Sequence, residues 1–250
     1  MIVLVGIGQK IDDITLEGLK WIKNSDLVYF DSYTSYWFGD LKKLERLAKR
    51  KIKLADRRQL EDKVDSLIEE ARNKIICILV PGDPLFATTH ISILIEAKRK
   101  GIETKVVHSI SIVNLMLESG LHAYKFGSIV TIPFKKRTKE FPESLRKTIE
   151  ANKKRGLHTL CLLDIDLHER RFLNPKEAIG FLLQNKLVKE KEKLIVLCRL
   201  GLENCKIYYE EARKLLKKDF GGPPFSIIIP GKLHFTEKEY LELFANPNED

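Results

Sequence analysis

The chain has 250 residues, 44% of them hydrophobic and 32% charged, with 44 Lys and Arg against 35 Asp and Glu for a net charge of +9. That supplies one large core or two modest ones, and two small domains fit the length best. The positive charge attracts acidic macromolecules without indicating nucleic acid, because Lys135-Lys136-Arg137, Lys153-Lys154-Arg155 and Lys217-Lys218 are short and lack interleaved aromatics, as solvated faces do.

In chain order, strand and helix patterns alternate through the first half, which predicts parallel β-α units. Strands are expected at Ile2–Val5, Leu27–Asp31, Ile52–Ala55, Ile75–Val80 and Ile102–His108. Helices are expected at Thr15–Asn24, Leu41–Lys51, Gln59–Asn73 and Thr89–Lys100, the last capped by Thr88 or Thr89 and stopped by Gly101. Ser109-Ile110-Ser111-Ile112 opens a further short helix running towards Gly120. In the second half, strands are expected at Ile129–Pro133, Thr159–Asp164, Leu194–Cys198 and Ser226–Ile229. Helices are expected near Pro142–Arg155, Pro175–Asn185, Tyr208–Lys218 and Thr236–Ala245, giving a second α/β layer of mixed strand direction. No Gly/Ser- or Pro-rich linker divides the halves, so two apposed domains, 1–110 and 111–250, with a cleft between them are predicted.

The most informative stretch runs from Ile75 to His90. Ile75–Val80 is apolar without alternation, the pattern of a strand covered on both faces, and Pro81 ends it. Two prolines then stiffen Gly82-Asp83, glycine lets a ligand approach the backbone, and Asp83 offers an acceptor-only carboxylate. Ligands of open α/β sheets sit at such strand ends. If this loop is a ligand site, Asp83→Ala should weaken binding and leave thermal stability nearly unchanged.

Other chemistries are poorly served. Gly6-Ile7-Gly8 lacks the third glycine of a dinucleotide fingerprint, and Pro230-Gly231-Lys232-Leu233 lacks the features of a P-loop. There is no Gly-x-Ser-x-Gly, no Cys-x-x-Cys and, among six histidines, no ligand spacing, so neither a hydrolase nor a bound metal is expected. Cys77, Cys161 and Cys198 read as reduced core residues. No apolar stretch reaches the length of a membrane span, and the first residues lack a signal peptide's basic region, so a cytoplasmic protein is expected. What remains is a small amphipathic ligand held by strand-end loops: Gly6-Ile7-Gly8, Pro81–Pro84, Ser109–Ser111, Leu163-Asp164, Arg199–Gly201 and Pro230–His234.

Three segments, taken together and in order, carry a resemblance: Pro81-Gly82-Asp83-Pro84-Leu85-Phe86-Ala87-Thr88-Thr89-His90, Arg155 through Ile165, and Asp219-Phe220-Gly221-Gly222-Pro223-Pro224 followed by Ile229-Pro230-Gly231-Lys232-Leu233-His234. Over nearly the whole chain they resemble the diphthine synthases, a branch of the tetrapyrrole-methylase-like enzymes that use S-adenosylmethionine. The resemblance implies a homodimer of two α/β domains, the N-terminal one mainly parallel and the C-terminal one mixed, with the cofactor in the interdomain cleft. It implies methyl transfer to the amino group of a 3-amino-3-carboxypropyl chain on a histidine of translation elongation factor 2, leaving S-adenosylhomocysteine. Gln9, Asp83, Phe86, Ser111, Ile112, Leu163, Leu200 and His234 match positions lining the cofactor pocket. Gln9 departs from the family's apolar residue, so a backbone contact there would survive and a packing contact would not.

From the residues alone, Phe86, Ile112, Leu163 and Leu200 read more readily as plain core than as pocket lining, while Ser111 could cap a helix and His234 could be a satisfied turn histidine. No catalytic residue is assigned, because spacing cannot choose a general base between bulk water and the histidines. Two readings compete: a same-family methyltransferase acting on ribosomal RNA or a tetrapyrrole, and a non-catalytic binding module that kept the fold.

Overall fold

The computed structural model describes residues 1–137 and 142–246. The chain divides into two compact units, Met1–Asn114 and Leu115–Asp250.

The first unit is built on β1 (Ile2–Gly6), β2 (Leu27–Asp31), β3 (Ile52–Ala55), β4 (Ile76–Val80) and β5 (Thr104–Val107). They lie in the order β3-β2-β4-β1-β5, every pair parallel. Alternate side chains of one strand feed two separate cores, as the pleat requires. Ile2, Leu4, Ile76, Ile78 and Val80 join one core, and Val3, Val5, Cys77 and Leu79 the other. This is why β1 and β4 read as unbroken apolar runs. Helices α1 (Leu16–Asn24) and α2 (Leu41–Ala48) begin where Thr15 and Asp40 accept backbone N–H bonds from Gly18 (2.9 Å) and Lys42 (2.8 Å).

Two expectations for this unit are corrected. Helix α4 (Ile91–Arg99) is capped by neither threonine: the Thr88 hydroxyl donates to Pro84 O, and His90, already in helical backbone geometry, precedes the helix. Gly101, at φ +71°, does end it. The helix expected over 59–73 is split, because Lys63 N–H reaches back five residues to Arg58 O (2.8 Å), making a π-turn over Arg58–Asp62 before α3 (Val64–Glu70).

The second unit holds β6 (Val130–Ile132), β7 (Thr159–Leu163), β10 (Lys193–Cys198), β11 (Lys206–Glu211) and β12 (Phe225–Ile229), with a small hairpin of β8 (Ile165–Asp166) and β9 (Arg171–Phe172) that the sequence reading lacked. The order is β11-β10-β12-β7-β6, with β6 and β7 parallel and the other pairs antiparallel, the mixed sheet expected. Helices α6 (Glu143–Lys154), α7 (Pro175–Gln184) and α9 (Phe235–Phe244) fall where expected. The helix expected at Tyr208–Lys218 is a correction: Lys206–Glu211 pairs with all of β10, and only Ala212–Leu215 (α8) is helical. Glu-Glu-Ala-Arg-Lys-Leu-Leu favours a helix locally, but Ile207-Tyr208-Tyr209 gains a strand partner, and the tertiary pairing wins.

Cys77, Cys161 and Cys198 are buried free thiols. Burial pushes the latter two up to about 12, and raises Cys77 likewise, so none is a thiolate at neutral pH.

Candidate functional site

Because β1, β4 and β5 are parallel and in register, their carboxyl ends meet at Gly6, Val80 and Val107. The loops beyond them are tied together at backbone level. Gly8 N–H donates to Gly82 O (3.3 Å) and Gly82 N–H to Gly8 O (2.8 Å), with φ of +60° and +74°. A Cβ on Gly6 would stand 2.8 Å from Gly82 O, 2.9 Å from Ser109 Cβ and 3.0 Å from Pro84 Cδ. Only glycine allows this approach.

Five of the eight expected contacts sit on these loops. Gln9 spends its backbone internally: its N–H donates to Asp13 Oδ2 (2.8 Å) and its carbonyl accepts from Phe38 N–H (2.9 Å). Asp83 is more embedded than the sequence suggested. Oδ1 accepts Leu85 N–H (3.0 Å), while Oδ2 meets His108 Nδ1 (2.8 Å) and Ser109 N–H (3.3 Å). Phe86 and Ile112 are half-buried beside Asp83 and Ser111 in the chain.

Ser111 is 3% exposed and its hydroxyl has no hydrogen-bond partner. It does not cap the short helix Ile112–Leu115 (α5) that follows. Its side chain faces Gly82, where an added Cβ would lie 3.6 Å from Ser111 Cβ. A buried hydroxyl left unpaired costs about 1–3 kcal/mol, which makes Ser111 the position in these loops to test for a contact from outside the chain.

The second unit separates the remaining three. Leu163 ends β7 and Leu200 follows β10, both buried at the end of the sheet where Phe225 enters β12 between them. Leu200 is anchored by Arg199, whose buried guanidinium donates to Phe220 O (2.8 Å), Gly222 O and Asn204 O (3.1 Å). His234 lies beyond the opposite end of that sheet, where His158 leads into β7. It is exposed, and its Nδ1 caps α9 by accepting from Thr236.

Sequence reasoning missed the group beneath His234. Glu237 is fully buried and accepts from His122 N–H (2.9 Å), His234 N–H (2.7 Å), His158 Nε2 (3.1 Å) and the Lys125 ammonium. Burial alone would raise its carboxyl; Lys125, the two N–H groups and His158 outweigh that and hold it at about 2. Burial lowers His158, which stays neutral, accepting Gly231 N–H at Nδ1 (2.9 Å) and donating from Nε2 to Glu237. A signal was present: Glu237 stands three residues after His234, the spacing of a capping box.

The first-unit loops fit a small amphipathic molecule, with glycines for close approach, half-buried Phe86 and Ile112, and one unpaired hydroxyl. Among the described residues no three His, Cys, Asp or Glu side chains gather to hold a metal ion, and no helix is long and apolar enough to cross a membrane.

The profile of the Tetrapyrrole (Corrin/Porphyrin) Methylases matches residues 1–216. The chain belongs to this family. The diphthine synthase of Methanocaldococcus jannaschii is 39% identical, across 97% of this chain and 98% of its own, and that of Methanothermobacter thermautotrophicus 38%, across 96% and 94%. A crystal structure of diphthine synthase matches with a TM-score of 0.89 at 31% identity, covering 98% of this chain and 95% of that one. The chain is therefore a methyltransferase of the diphthine synthase branch, with the α/β fold expected of that branch.

Ser111→Ala tests the unpaired hydroxyl directly. Cofactor affinity should fall about tenfold, the worth of one modest hydrogen bond, while thermal stability holds or rises slightly because a buried polar group is gone. Calorimetry and a melting curve check both. A variant that melts earlier and binds normally would show the hydroxyl to be structural.

Proposed function

We propose that this chain uses S-adenosylmethionine to methylate the amino group of the 3-amino-3-carboxypropyl chain on a histidine of translation elongation factor 2, in diphthamide biosynthesis. The reading is carried by relatives named diphthine synthase that match it at near-full length, joined to an unpaired buried hydroxyl in the loop after β5. Gln9, Asp83, Phe86, Ser111, Ile112, Leu163, Leu200 and His234 are the proposed cofactor contacts. At Gln9 the side chain and the second lone pair of the carbonyl are left for that purpose, since its N–H is bonded to Asp13 and its carbonyl accepts once from Phe38 N–H. A cytoplasmic homodimer that needs neither nucleic acid nor metal completes the proposal.

The chemistry asked of the protein is modest. Bound S-adenosylmethionine supplies an electrophilic methyl group, and the protein holds an amine in line with it and excludes water; such positioning can lower a barrier by about 7–11 kcal/mol. No covalent intermediate with a side chain is required.

The test supplies cofactor labelled in its methyl group to elongation factor 2 carrying the aminocarboxypropyl chain, to unmodified factor and to ribosomal RNA. Label is expected only on the first, as methyl additions on the side-chain amine by mass spectrometry. Equal labelling of unmodified factor, or preferential labelling of RNA, would overturn the reading.

A further inference from the structure

An alkylamine is largely protonated at neutral pH, and its nitrogen can attack a methyl group only after losing that proton. This inference rests on the amine substrate proposed above, and it concerns which group takes the proton. A candidate base needs a carboxylate to orient its ring, a free second nitrogen, and room for a substrate.

The histidines separate cleanly on these criteria. His158 has both nitrogens engaged and is fully buried. His122 is bonded at Nδ1 to Tyr124 and at Nε2 to Thr236. The rings of His168 and His234 are paired with no carboxylate among the described residues. His90 has Nε2 3.0 Å from Asp31 Oδ2 without hydrogen-bond alignment, but it is 1% exposed and stacked against Tyr33, out of a substrate's reach. His108 meets all three. Nδ1 is 2.8 Å from Asp83 Oδ2, the side chain is 69% exposed, and Nε2 has no partner among the described residues. Asp83 is the one ionisable side chain bonded to it there.

The geometry points to His108 as the catalytic proton acceptor, oriented by Asp83. His108 stands at the end of β5, next to Ser109, whose N–H also donates to Asp83. With Oδ1 holding Leu85 N–H, the carboxylate is fixed from both sides and cannot turn away from the ring. Nδ1 then keeps its proton as donor to Oδ2, and the lone pair is on outward-facing Nε2. In the reaction the ammonium proton passes to Nε2. The freed nitrogen pair forms the C–N bond to the donor's methyl carbon as the C–S bond breaks, and that bond's electron pair stays on sulfur. The imidazolium returns its proton to solvent before the next methyl addition.

Two measurements test this. Nitrogen-15 NMR of the full-length protein without ligands should show His108 as the Nδ1–H tautomer, and Asp83→Asn should scramble it; a dominant Nε2–H tautomer in the wild type overturns the proposal. At saturating cofactor and modified elongation factor, His108→Ala should transfer methyl on the order of 100-fold more slowly. Added imidazole should restore part of that rate, while S-adenosylhomocysteine affinity stays close to wild type. Unchanged transfer by His108→Ala on an active wild-type background overturns this proposal alone. A wild-type protein that places no methyl group on the amine overturns the substrate reading and this proposal with it.

Discussion

Glu237→Ala is expected to destabilise the chain by about 3–5 kcal/mol, because it leaves partners of a buried ion pair uncompensated. The Lys125 ammonium keeps Lys232 O at 2.7 Å, but His158 Nε2–H and the N–H groups of His122 and His234 lose their acceptor. The same group predicts acid sensitivity. The carboxyl sits at about 2 in the folded chain against an ordinary 4.5, so the unfolded chain binds the proton more readily. Its stabilisation, roughly 3 kcal/mol, is complete above pH ~4.5 and is lost as pH falls towards 2. His158, lowered by burial, acts in the same direction: its contribution is present above the unfolded histidine value near 6.5 and declines below it. Urea unfolding at pH 7, 5 and 3 should show a steep loss between the last two in the wild type and a shallower one in Glu237→Ala. A loss under 1 kcal/mol at pH 7, or a stability flat from pH 5 to 3, would show the cluster to be energetically idle.

Asp83→Ala is expected to damage both stability and cofactor binding. The sequence reading anticipated a loss of binding alone, on the view that a carboxylate between two prolines has little structural use. The structure corrects that view: Asp83 ties Leu85 N–H, Ser109 N–H and His108 Nδ1 into one knot, joining the loop after β4 to the end of β5. Bonds to a charged acceptor have a net worth of about 1.5–3 kcal/mol each where they are fully buried. The side chain is 15% exposed, so water replaces part of the loss and about 2 kcal/mol is expected. Cofactor affinity should fall at least tenfold, because the Gly82 and Ser111 backbones lose their fixed spacing. Asp83→Asn keeps the Leu85 bond and should recover most of the stability but not the binding. A melting point unchanged in Asp83→Ala would return the loop to the simpler reading.

The sequence alone determined the repeating elements, and the reason is that each is written in neighbouring residues. Leu27–Asp31 and Ile52–Ala55 have the bounds expected from their short β-prone stretches, and Ile76–Val80 stops at Pro81. The family motif at Gly82-Asp83-Pro84 is likewise contiguous, so the enzyme class is legible in the sequence. Tertiary structure decided the rest through partners distant in the chain. Lys206–Glu211 is a strand because β10 lies alongside it, although its continuation into α8 reads as helix. Asp83 finds His108 and Ser109 across α4 and β5, and Glu237 finds His122, Lys125 and His158 from the far end of its unit. Ser111 looks from its sequence like a cap, and only the packing around it shows a hydroxyl with no partner. A period of 2 or 3.6 encodes which face of an element is buried. It carries no information about which polar group from another element arrives there, and that pairing sets the protonation of Glu237, the orientation of Asp83 and the unpaired hydroxyl of Ser111.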